Sequence, residues 1–524
     1  MKTVISLTRK KKRRSHYNVA LTNHNGNLNL YIAMDKNEEE KNEQSISVSF
    51  KKIVLDWFTN LNVYGLPKIF RNENSFSRII WIICFIISFI YCMHTVGQLL
   101  QNYYSNPSYI STEIVQEIPT PFPAITICNI KLVNRTRSST YLDANVLNFD
   151  LRNFTDPYSY IITQEYSTKL TLNSDSNLTN KTKKELGFLI EDMLISCYFN
   201  YIPCTAEDFT YSYSLQFGNC YTFNKGIFNN GSEYKIKQVG FAGPTYGLSL
   251  ELFLGNPPVD TVNEYRDGIY VSINNQSTIP FTQGDIITAP AGAETNLIVN
   301  RNFISKLEKP YGNCLKDTTN TSKFNSIYFR HMVENLAKYN QEYCLLICEQ
   351  DLINKKCNCT NELLPAFQKL DFCENETQIL CMADILDKFG ESSLVFDCQT
   401  DCPIECDSIE YKVTSYRALY PNEFYTNALY KHTQTRGMNI SLENIPKAFS
   451  KLNVYYQSMQ YTRTIQTISI APVSLFSNLF STINFFTGLN IFTAVEVFEL
   501  AFNLVNMFIF FIRQKRINII QNRN

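Results

Sequence analysis

The chain has 524 residues, of which 44% are apolar and 14% aromatic, and this composition excludes a disordered or collagen-like chain. Its formal net charge is zero, so no overall basicity indicates nucleic acid as a partner. Sixteen cysteines are more than we expect in a reducing cytosol, because disulfides persist in oxidising compartments.

The first apolar segment covers residues 79–112 and contains no Asp, Glu, Lys or Arg. Its stretch IIWIICFIISFIYCMHTVGQLL, at 79–100, has the roughly 20 residues that a membrane-spanning helix needs. Because the segment follows a long polar tail, it lies too far from Met1 to be a cleaved signal peptide. We predict an N-terminal tail at 1–77 and a first transmembrane helix at 78–102.

The second apolar segment runs over 464–512 and carries two charges, Glu496 and Glu499. It is about twice as long as one span requires, so we expect it to bend, break or project beyond the bilayer. We predict a second, pore-lining transmembrane helix at 466–512 and a C-terminal tail at 513–524. Carboxylates within a membrane normally face a bundle interior or an aqueous cavity, so this pair indicates a cation path between assembled copies. In the alternative, both side chains only extend to the inner membrane interface.

Charge and glycosylation motifs predict the topology. Basic residues precede the first span at 9–14, Arg71 and Arg78 and follow the second at 513–516, so both termini are predicted to be cytoplasmic. The loop at 103–465 is then extracellular. All ten N-x-S/T sequons lie in that loop: Asn134, Asn153, Asn177, Asn180, Asn230, Asn275, Asn320, Asn358, Asn375 and Asn439.

The loop holds fourteen cysteines, from Cys128 to Cys406. Strand-like and helix-like periodicities alternate along it, which predicts an oxidised, glycosylated α+β domain. Its stretch TPFPAITICN, at 120–129, predicts a stiff extended connector because proline fixes φ. Spacing alone leaves the cysteine pairing open, and zinc binding at Cys357 and Cys359 is an alternative. No cofactor is expected.

An ordered set of motifs carries a family resemblance. These are FPAITICN after the first span, CYFNYIPCTAEDFTYSYSLQFGNCYTFN at 197–224, GLSLEL, PAGAET, PYGNC and the closing cysteine block. Together they resemble the degenerin/epithelial sodium channel family, which includes acid-sensing and peptide-gated channels. The resemblance implies an α+β membrane protein: a trimeric channel with two transmembrane helices per subunit and a large disulfide-rich extracellular domain. It also implies seven disulfides: Cys128–Cys220, Cys197–Cys204, Cys314–Cys406, Cys344–Cys402, Cys348–Cys398, Cys357–Cys381 and Cys359–Cys373.

The resemblance also assigns roles within the second span. Gly488, Leu489 and Asn490 occupy the place of the family's Gly-x-Ser selectivity belt, with Asn490 where the family usually has serine. Asn484 stands at a position tied to amiloride block, where many relatives have glycine. Sodium preference and amiloride sensitivity are therefore left open. Without the resemblance, Gly488 would indicate an ordinary helix-packing contact.

Four further positions match gating positions of the family. Tyr64 and Gly65 match a cytoplasmic His-Gly gating motif, with tyrosine in place of histidine, and a local turn is the alternative role. Ser477 matches the small-residue degenerin site, at which a bulky side chain would hold the pore open. Tyr311 matches an aromatic residue that contacts the first span, through Tyr103 or Tyr104. Plain packing is the alternative for Ser477 and for Tyr311.

These features predict a voltage-independent, sodium-preferring cation channel subunit of the plasma membrane, gated through its extracellular domain as a homo- or heterotrimer. An extracellular peptide is a conceivable ligand, and a carboxylate-based proton sensor stays open. The alternatives are a non-conducting or obligate heteromeric subunit and, from another class, a membrane-anchored receptor or ectoenzyme. The cysteine order does not fit an ATP-gated trimer. No G-x-S-x-G or H-E-x-x-H motif is present, so we do not expect an enzyme.

Overall fold

The computed structural model describes residues 19–24, 27–32, 50–61, 63–146, 156–175, 177–257, 266–280, 286–335, 338–373, 375–390 and 393–521. The chain divides into two compact units. The membrane unit, as we name it, combines Met1–Pro107 with Ile470–Asn524, and the large unit is Ser108–Ser469.

The helices lie in both units. They are α1 (50–60), α2 (Leu66–Arg71), α3 (Ser75–Tyr104), α4 (Arg135–Asn145), α5 (Pro157–Ser174), α6 (Asn180–Leu186), α7 (Ile190–Met193), α8 (Ile327–Asn335), α9 (Gln341–Cys357), α10 (Glu376–Gly390), α11 (Ser393–Asp401), α12 (Glu423–Thr435), α13 (Ile445–Ala448), α14 (Pro472–Thr487) and α15 (Ile491–Gln521).

Most strands lie in the large unit. They are β1 (Val19–His24), β2 (Asn27–Ile32), β3 (Ser108–Gln116), β4 (Thr120–Pro121), β5 (Ala124–Asn129), β6 (Leu194–Phe199), β7 (Ile202–Pro203), β8 (Phe209–Ser214), β9 (Gly218–Phe223), β10 (Gln238–Val239), β11 (Leu248–Phe253), β12 (Gly268–Asn274), β13 (Ile287–Pro290), β14 (Ala293–Ser305), β15 (Cys314–Leu315), β16 (Ile404–Glu405), β17 (Asp407–Leu419) and β18 (Phe449–Ile468).

Two helices of the described residues are long and apolar enough to cross a membrane, α3 and the part of α15 at Ile491–Arg513. Helix α3 begins at Ser75, three residues before the predicted start, because the Asn74 side chain caps it by accepting a hydrogen bond from Phe76 N at 3.2 Å. It continues to Tyr104.

The second apolar segment, for which we predicted a transmembrane element at 466–512, consists of the end of a strand and two helices. Residues up to Ile468 belong to β18, because they pair with β3 from Ser108↔Ile468 to Gln116↔Gln460. Helix α14 starts at Pro472, a residue favoured in the first helical turn. The helix then ends at Thr487, and α15 begins at Ile491 and extends to Gln521. The segment thus contains the break that its excess length indicated.

The large unit contains a seven-stranded sheet in the order β17-β14-β18-β11-β6-β7, with β3 also paired to β18. Strands β14 and β18 are parallel, and the other neighbours are antiparallel. Through β3 and β18, the strand that follows the first span is hydrogen-bonded to the strand that precedes α14.

A five-stranded sheet in the order β13-β12-β5-β9-β8 shares one apolar core with the larger sheet. The connector TPFPAITICN forms β4 and β5, and its Phe122 and Ile125 are buried in that core. Cys128 lies opposite Cys220 in the β5–β9 register, and the two form a disulfide. The connector is therefore anchored by packing, sheet pairing and a covalent bond.

Helices α8 to α11 surround smaller cores rich in disulfides. Cys344 and Cys348, one turn apart on α9, pair with Cys402 and Cys398, one turn apart on α11. The remaining disulfides are Cys197–Cys204, Cys314–Cys406, Cys357–Cys381 and Cys359–Cys373, so the seven pairs are those that the resemblance implies. Cys357 and Cys359 lack the free thiolates that a zinc site requires.

A carboxyl group is buried among these helices. Glu349, on α9, is only 6% exposed. Burial of its carboxyl group raises the pKa of Glu349 to about 7. Between pH 4.5, the ordinary carboxyl pKa, and about pH 7, Glu349 is therefore more protonated in the folded state than in the unfolded state. Its stability should fall as the pH rises through this range.

We expect Glu349→Gln to raise thermal stability at about pH 8, by on the order of 1–3 kcal/mol, and to leave it unchanged near about pH 4.5. Glutamine matches the protonated acid in shape and avoids the cost of ionising a buried group. Thermal melts of the detergent-purified chain at both pH values measure the effect. Glu334→Gln, at an exposed position on α8, is the matched control. Equal stabilisation at both pH values would contradict the explanation.

Candidate functional site

The break between α14 and α15 depends on a glycine. Gly488 adopts the left-handed conformation with φ of 76° and closes α14 by donating its N–H to Asn484 O at 2.8 Å. A Cβ atom at this position would lie 2.9 Å from Tyr64 N and 3.0 Å from Tyr64 Cγ. Both the backbone conformation and the close approach of Tyr64 therefore require a residue without a side chain.

Asn490 begins the next helix. Its Oδ1 accepts hydrogen bonds from Phe492 N at 2.9 Å and Thr493 N at 3.2 Å. In return, Thr493 Oγ1 accepts from Asn490 N at 2.9 Å. This reciprocal pairing is a capping box, and asparagine is among the best residues for its first position. The replacement of serine thus preserves a helix cap.

A segment from the N-terminal part of the chain lies against the break. Tyr64 N donates to Thr487 O at 3.0 Å, and Trp57 Nε1, on α1, donates to Glu496 O at 2.9 Å. The Tyr64 hydrogen bond uses the main chain, so it needs no imidazole. Gly65 follows with φ of 77° and begins α2 beside Trp81. Both residues of the predicted gating motif therefore lie near the break.

The last carbonyls of α14 find partners outside the helix. Phe486 O accepts from Ser88 Oγ on α3 at 2.6 Å, and Thr487 O accepts from Tyr64 N. Within the described residues, no hydrogen bond reaches the carbonyls of Gly488 and Leu489. These two oxygens are free to interact with a cation.

A polar stripe runs along α14 towards the break. Ser474, Ser477, Ser481 and Asn484 recur at spacings of three or four residues, which places them on one helix face, and all are exposed. The opposite face is apolar and includes Leu475, which is buried. Sequence analysis identified Ser477 and Asn484 but missed Ser474 and Ser481. Their spacing within an apolar segment was the available signal.

The two carboxylates follow the break on α15. Glu496 is half-buried and Glu499 is exposed. Thr493, the partner of Asn490 in the cap, lies three residues before Glu496, so the three side chains share a face. The cap therefore sets the direction in which the carboxylates point.

Tyr311 lies in the large unit, in the turn between β14 and β15. This turn is held by Gln466 of β18, whose Oε1 accepts from Leu307 N at 3.0 Å. Gln466 Nε2 donates to Ser108 Oγ, at the start of β3, at 2.7 Å. Sequence analysis missed Gln466, because a single glutamine in a strand carries no signal of its own. The contact of Tyr311 with Tyr103 or Tyr104 stays a prediction.

The described sequons all lie in the large unit, while Asn153 lies outside the described residues. Asn134 and Asn275 are half-buried. The exposed sequon residues are Asn177, Asn180, Asn230, Asn320, Asn358, Asn375 and Asn439.

The comparison with known proteins identifies the class. The profile of the amiloride-sensitive sodium channel family matches residues 57–500, most of the chain. The protein belongs to this family of ion channels, as the motifs indicated.

Its relatives are distant. It is 24% identical over 447 residues to the bile acid-sensitive ion channel of Homo sapiens. The aligned region covers 82% of this chain and 81% of that protein. It is 27% identical over 337 residues to the epithelial sodium channel subunit beta of Homo sapiens, covering 63% of this chain and 50% of that one. The alpha subunit of Cavia porcellus is 24% identical over 293 residues, with 55% and 40% covered. The chain thus spans about half or less of the length of these epithelial subunits.

Among solved structures, a proton-activated chloride channel covers 82% of this chain and 100% of its own at 8% identity, with a TM-score of 0.31.

We expect Asn490→Ala to lower the stability of the chain by about 1 kcal/mol, because it removes the side chain that caps α15. Asn490→Ser should stay near wild type, since serine is also a good cap. Thermal melts of the purified chain measure both. Asn484→Ala, an exposed substitution on α14, is the control. If Asn490→Ala and Asn484→Ala melt alike, the cap does not stabilise the helix.

Proposed function

We propose that this protein is a subunit of a voltage-independent, sodium-preferring cation channel of the plasma membrane. In this proposal both termini are cytoplasmic and the loop at 103–465 is extracellular. Membership of the sodium channel family and two helices suited to crossing a bilayer support it.

The observation that carries the proposal is the break at 488–490. A cation crossing a membrane needs oxygen ligands to replace its hydration shell, and unpaired backbone carbonyls provide them. The carbonyls of Gly488 and Leu489 have no hydrogen-bond donor within the described residues. The polar stripe of α14 leads to this point, and Glu496 and Glu499 follow it. In the proposed order, a cation passes hydroxyl groups, then carbonyls, then carboxylates.

Assembly completes the path. One copy provides one set of ligands, and three copies around an axis would provide rings of carbonyls and carboxylates. We propose a trimer, homomeric or heteromeric. Several relatives are named as subunits, which supports an assembly of more than one chain.

Gating is proposed to start in the extracellular domain. Strands β3 and β18 are paired, and each lies three residues from a membrane helix along the chain, at 105–107 and 469–471. A ligand that moves one strand would move the other. Ser477, Tyr311, Tyr64 and Gly65 are the proposed gating positions. The stimulus could be a peptide, or an amphipathic acid like that named for the bile acid-sensitive relative.

A non-conducting or obligate heteromeric subunit is the second candidate. Asn490 in place of the belt serine favours it, because its amide oxygen accepts hydrogen bonds from two backbone N–H groups of α15 and is not available to an ion. Asn484 at the proposed blocker position predicts altered amiloride sensitivity.

The exposed sequons are proposed glycosylation sites. Asn134, Asn275 and Asn153 are the three further proposed sites.

The chain expressed alone in oocytes should carry a sodium current that Ser477→Phe enlarges severalfold. A bulky side chain on the polar stripe would prevent closure of the path. Leu479→Phe is the matched control, because two residues on an α-helix point about 160° apart. Currents are recorded with external sodium and then with a large organic cation, and surface expression is measured in parallel. Surface protein without current from either form would contradict the homomeric channel and favour the second candidate.

Neutralising a proposed pore carboxylate should reduce the conductance without reducing surface expression. We expect Glu499→Gln to lower single-channel sodium conductance, because it removes a negative charge from the path. Glu423→Gln, at an exposed position on α12 of the large unit, is the control. Unchanged conductance in Glu499→Gln would remove this residue from the proposed path.

A further inference from the structure

Two amide side chains follow the carboxylates on α15. Asn503 and Asn506 come four and seven residues after Glu499, and both are exposed. Polar residues of α15 therefore form a series with spacings of three, three, four and three: Thr493, Glu496, Glu499, Asn503 and Asn506. This spacing keeps all of them on one side of the helix. The polar stripe therefore continues well past the carboxylates.

The surroundings of these amides are strongly apolar. Phe502, Val505 and Phe508 lie in the same turns of α15 and are exposed, as expected for side chains that face lipid. Neither amide side chain makes a hydrogen bond within the part of the chain that the structure describes. An amide in contact with hydrocarbon and without a partner costs several kcal/mol, roughly 2–7. Two such residues on one face indicate a polar environment along that face.

We propose that Asn503 and Asn506 line the continuation of the cation path beyond Glu499 and promote release of the ion. This inference rests on the proposed function. A conducting site must bind the ion strongly enough to admit it and weakly enough to let it leave. The amide oxygen is a neutral ligand, so it binds a cation less strongly than a carboxylate does. The order of carboxylates followed by amides thus forms a graded exit.

The competing explanation is packing between helices. Amide side chains in membrane proteins also hydrogen-bond across helix interfaces, where water does not reach them. The two explanations differ in whether positions 503 and 506 are in contact with water. Accessibility to a charged thiol reagent distinguishes them.

Cysteine substitution provides the test. The background is Cys84→Ser with Cys92→Ser, because these are the two free cysteines of the chain. Asn503→Cys and Asn506→Cys are compared with Ala501→Cys and Phe508→Cys, which lie at similar depth about 160° away around the helix. A charged methanethiosulfonate reagent is applied to the cytoplasmic face of excised patches. We expect the sodium current to fall at 503 and 506 and to persist at 501 and 508.

The proposal is overturned if the reagent reduces the sodium current of Glu499→Cys but leaves the currents of Asn503→Cys and Asn506→Cys unchanged. Equal effects at all four test positions would also overturn it, because the helix would then have no water-lined face. Both results leave the channel function intact.

A second readout does not need current. Inside-out membrane vesicles carrying the same variants are treated with a membrane-impermeant maleimide, and labelling is measured by gel shift. Labelling at 503 and 506 but not at 501 and 508 supports the water-lined face even in a chain that does not conduct. Absence of labelling at 503 and 506, with labelling at Glu499→Cys, overturns the inference whether or not the protein is a channel.

Discussion

Backbone groups that leave a helix within apolar surroundings must find other partners, and this constraint shapes the membrane unit. At the end of α14, the N–H of Gly488 bonds back to Asn484, and the carbonyls of Phe486 and Thr487 accept from Ser88 and Tyr64. The N-terminal segment and the first span are therefore parts of the break. Among the described residues, no donor reaches the carbonyls of 488 and 489, and these line the path proposed for cations.

The break also fixes the rotation of α15. Because Asn490 and Thr493 cap each other, the first turn of α15 has a defined start, and each later side chain follows at about 100° per residue. The stripe of Glu496, Glu499, Asn503 and Asn506 takes its direction from that start. A helix that began one residue later would rotate every one of these side chains towards a different neighbour. The cap at Asn490 thus matters for the chemistry several turns away.

Sequence reasoning succeeded where the signal was periodic, compositional or carried by a family pattern. Two apolar segments predicted two spans, and the excess length of the second indicated the break. The strand β18 continues to Ile468, two residues past the predicted start of the second span at 466, through pairing with β3 that no local pattern reveals. The hydrogen bonds of Trp57 and Tyr64 to α15 and α14 were also beyond prediction, since they join residues more than 400 positions apart. The cysteine pairs came from the resemblance and not from spacing.

The large unit combines rigid and adjustable elements. Five disulfides hold α9 to α11 and their neighbouring segments, and Cys128–Cys220 fixes β5 against β9. By contrast, β3 and the second half of β18 are joined by backbone hydrogen bonds and by Gln466, which also holds the turn before Tyr311. Hydrogen bonds can be exchanged at far lower cost than a disulfide can be broken. If a stimulus acts on this domain, the strands that continue into the membrane helices are the ones whose pairing can change.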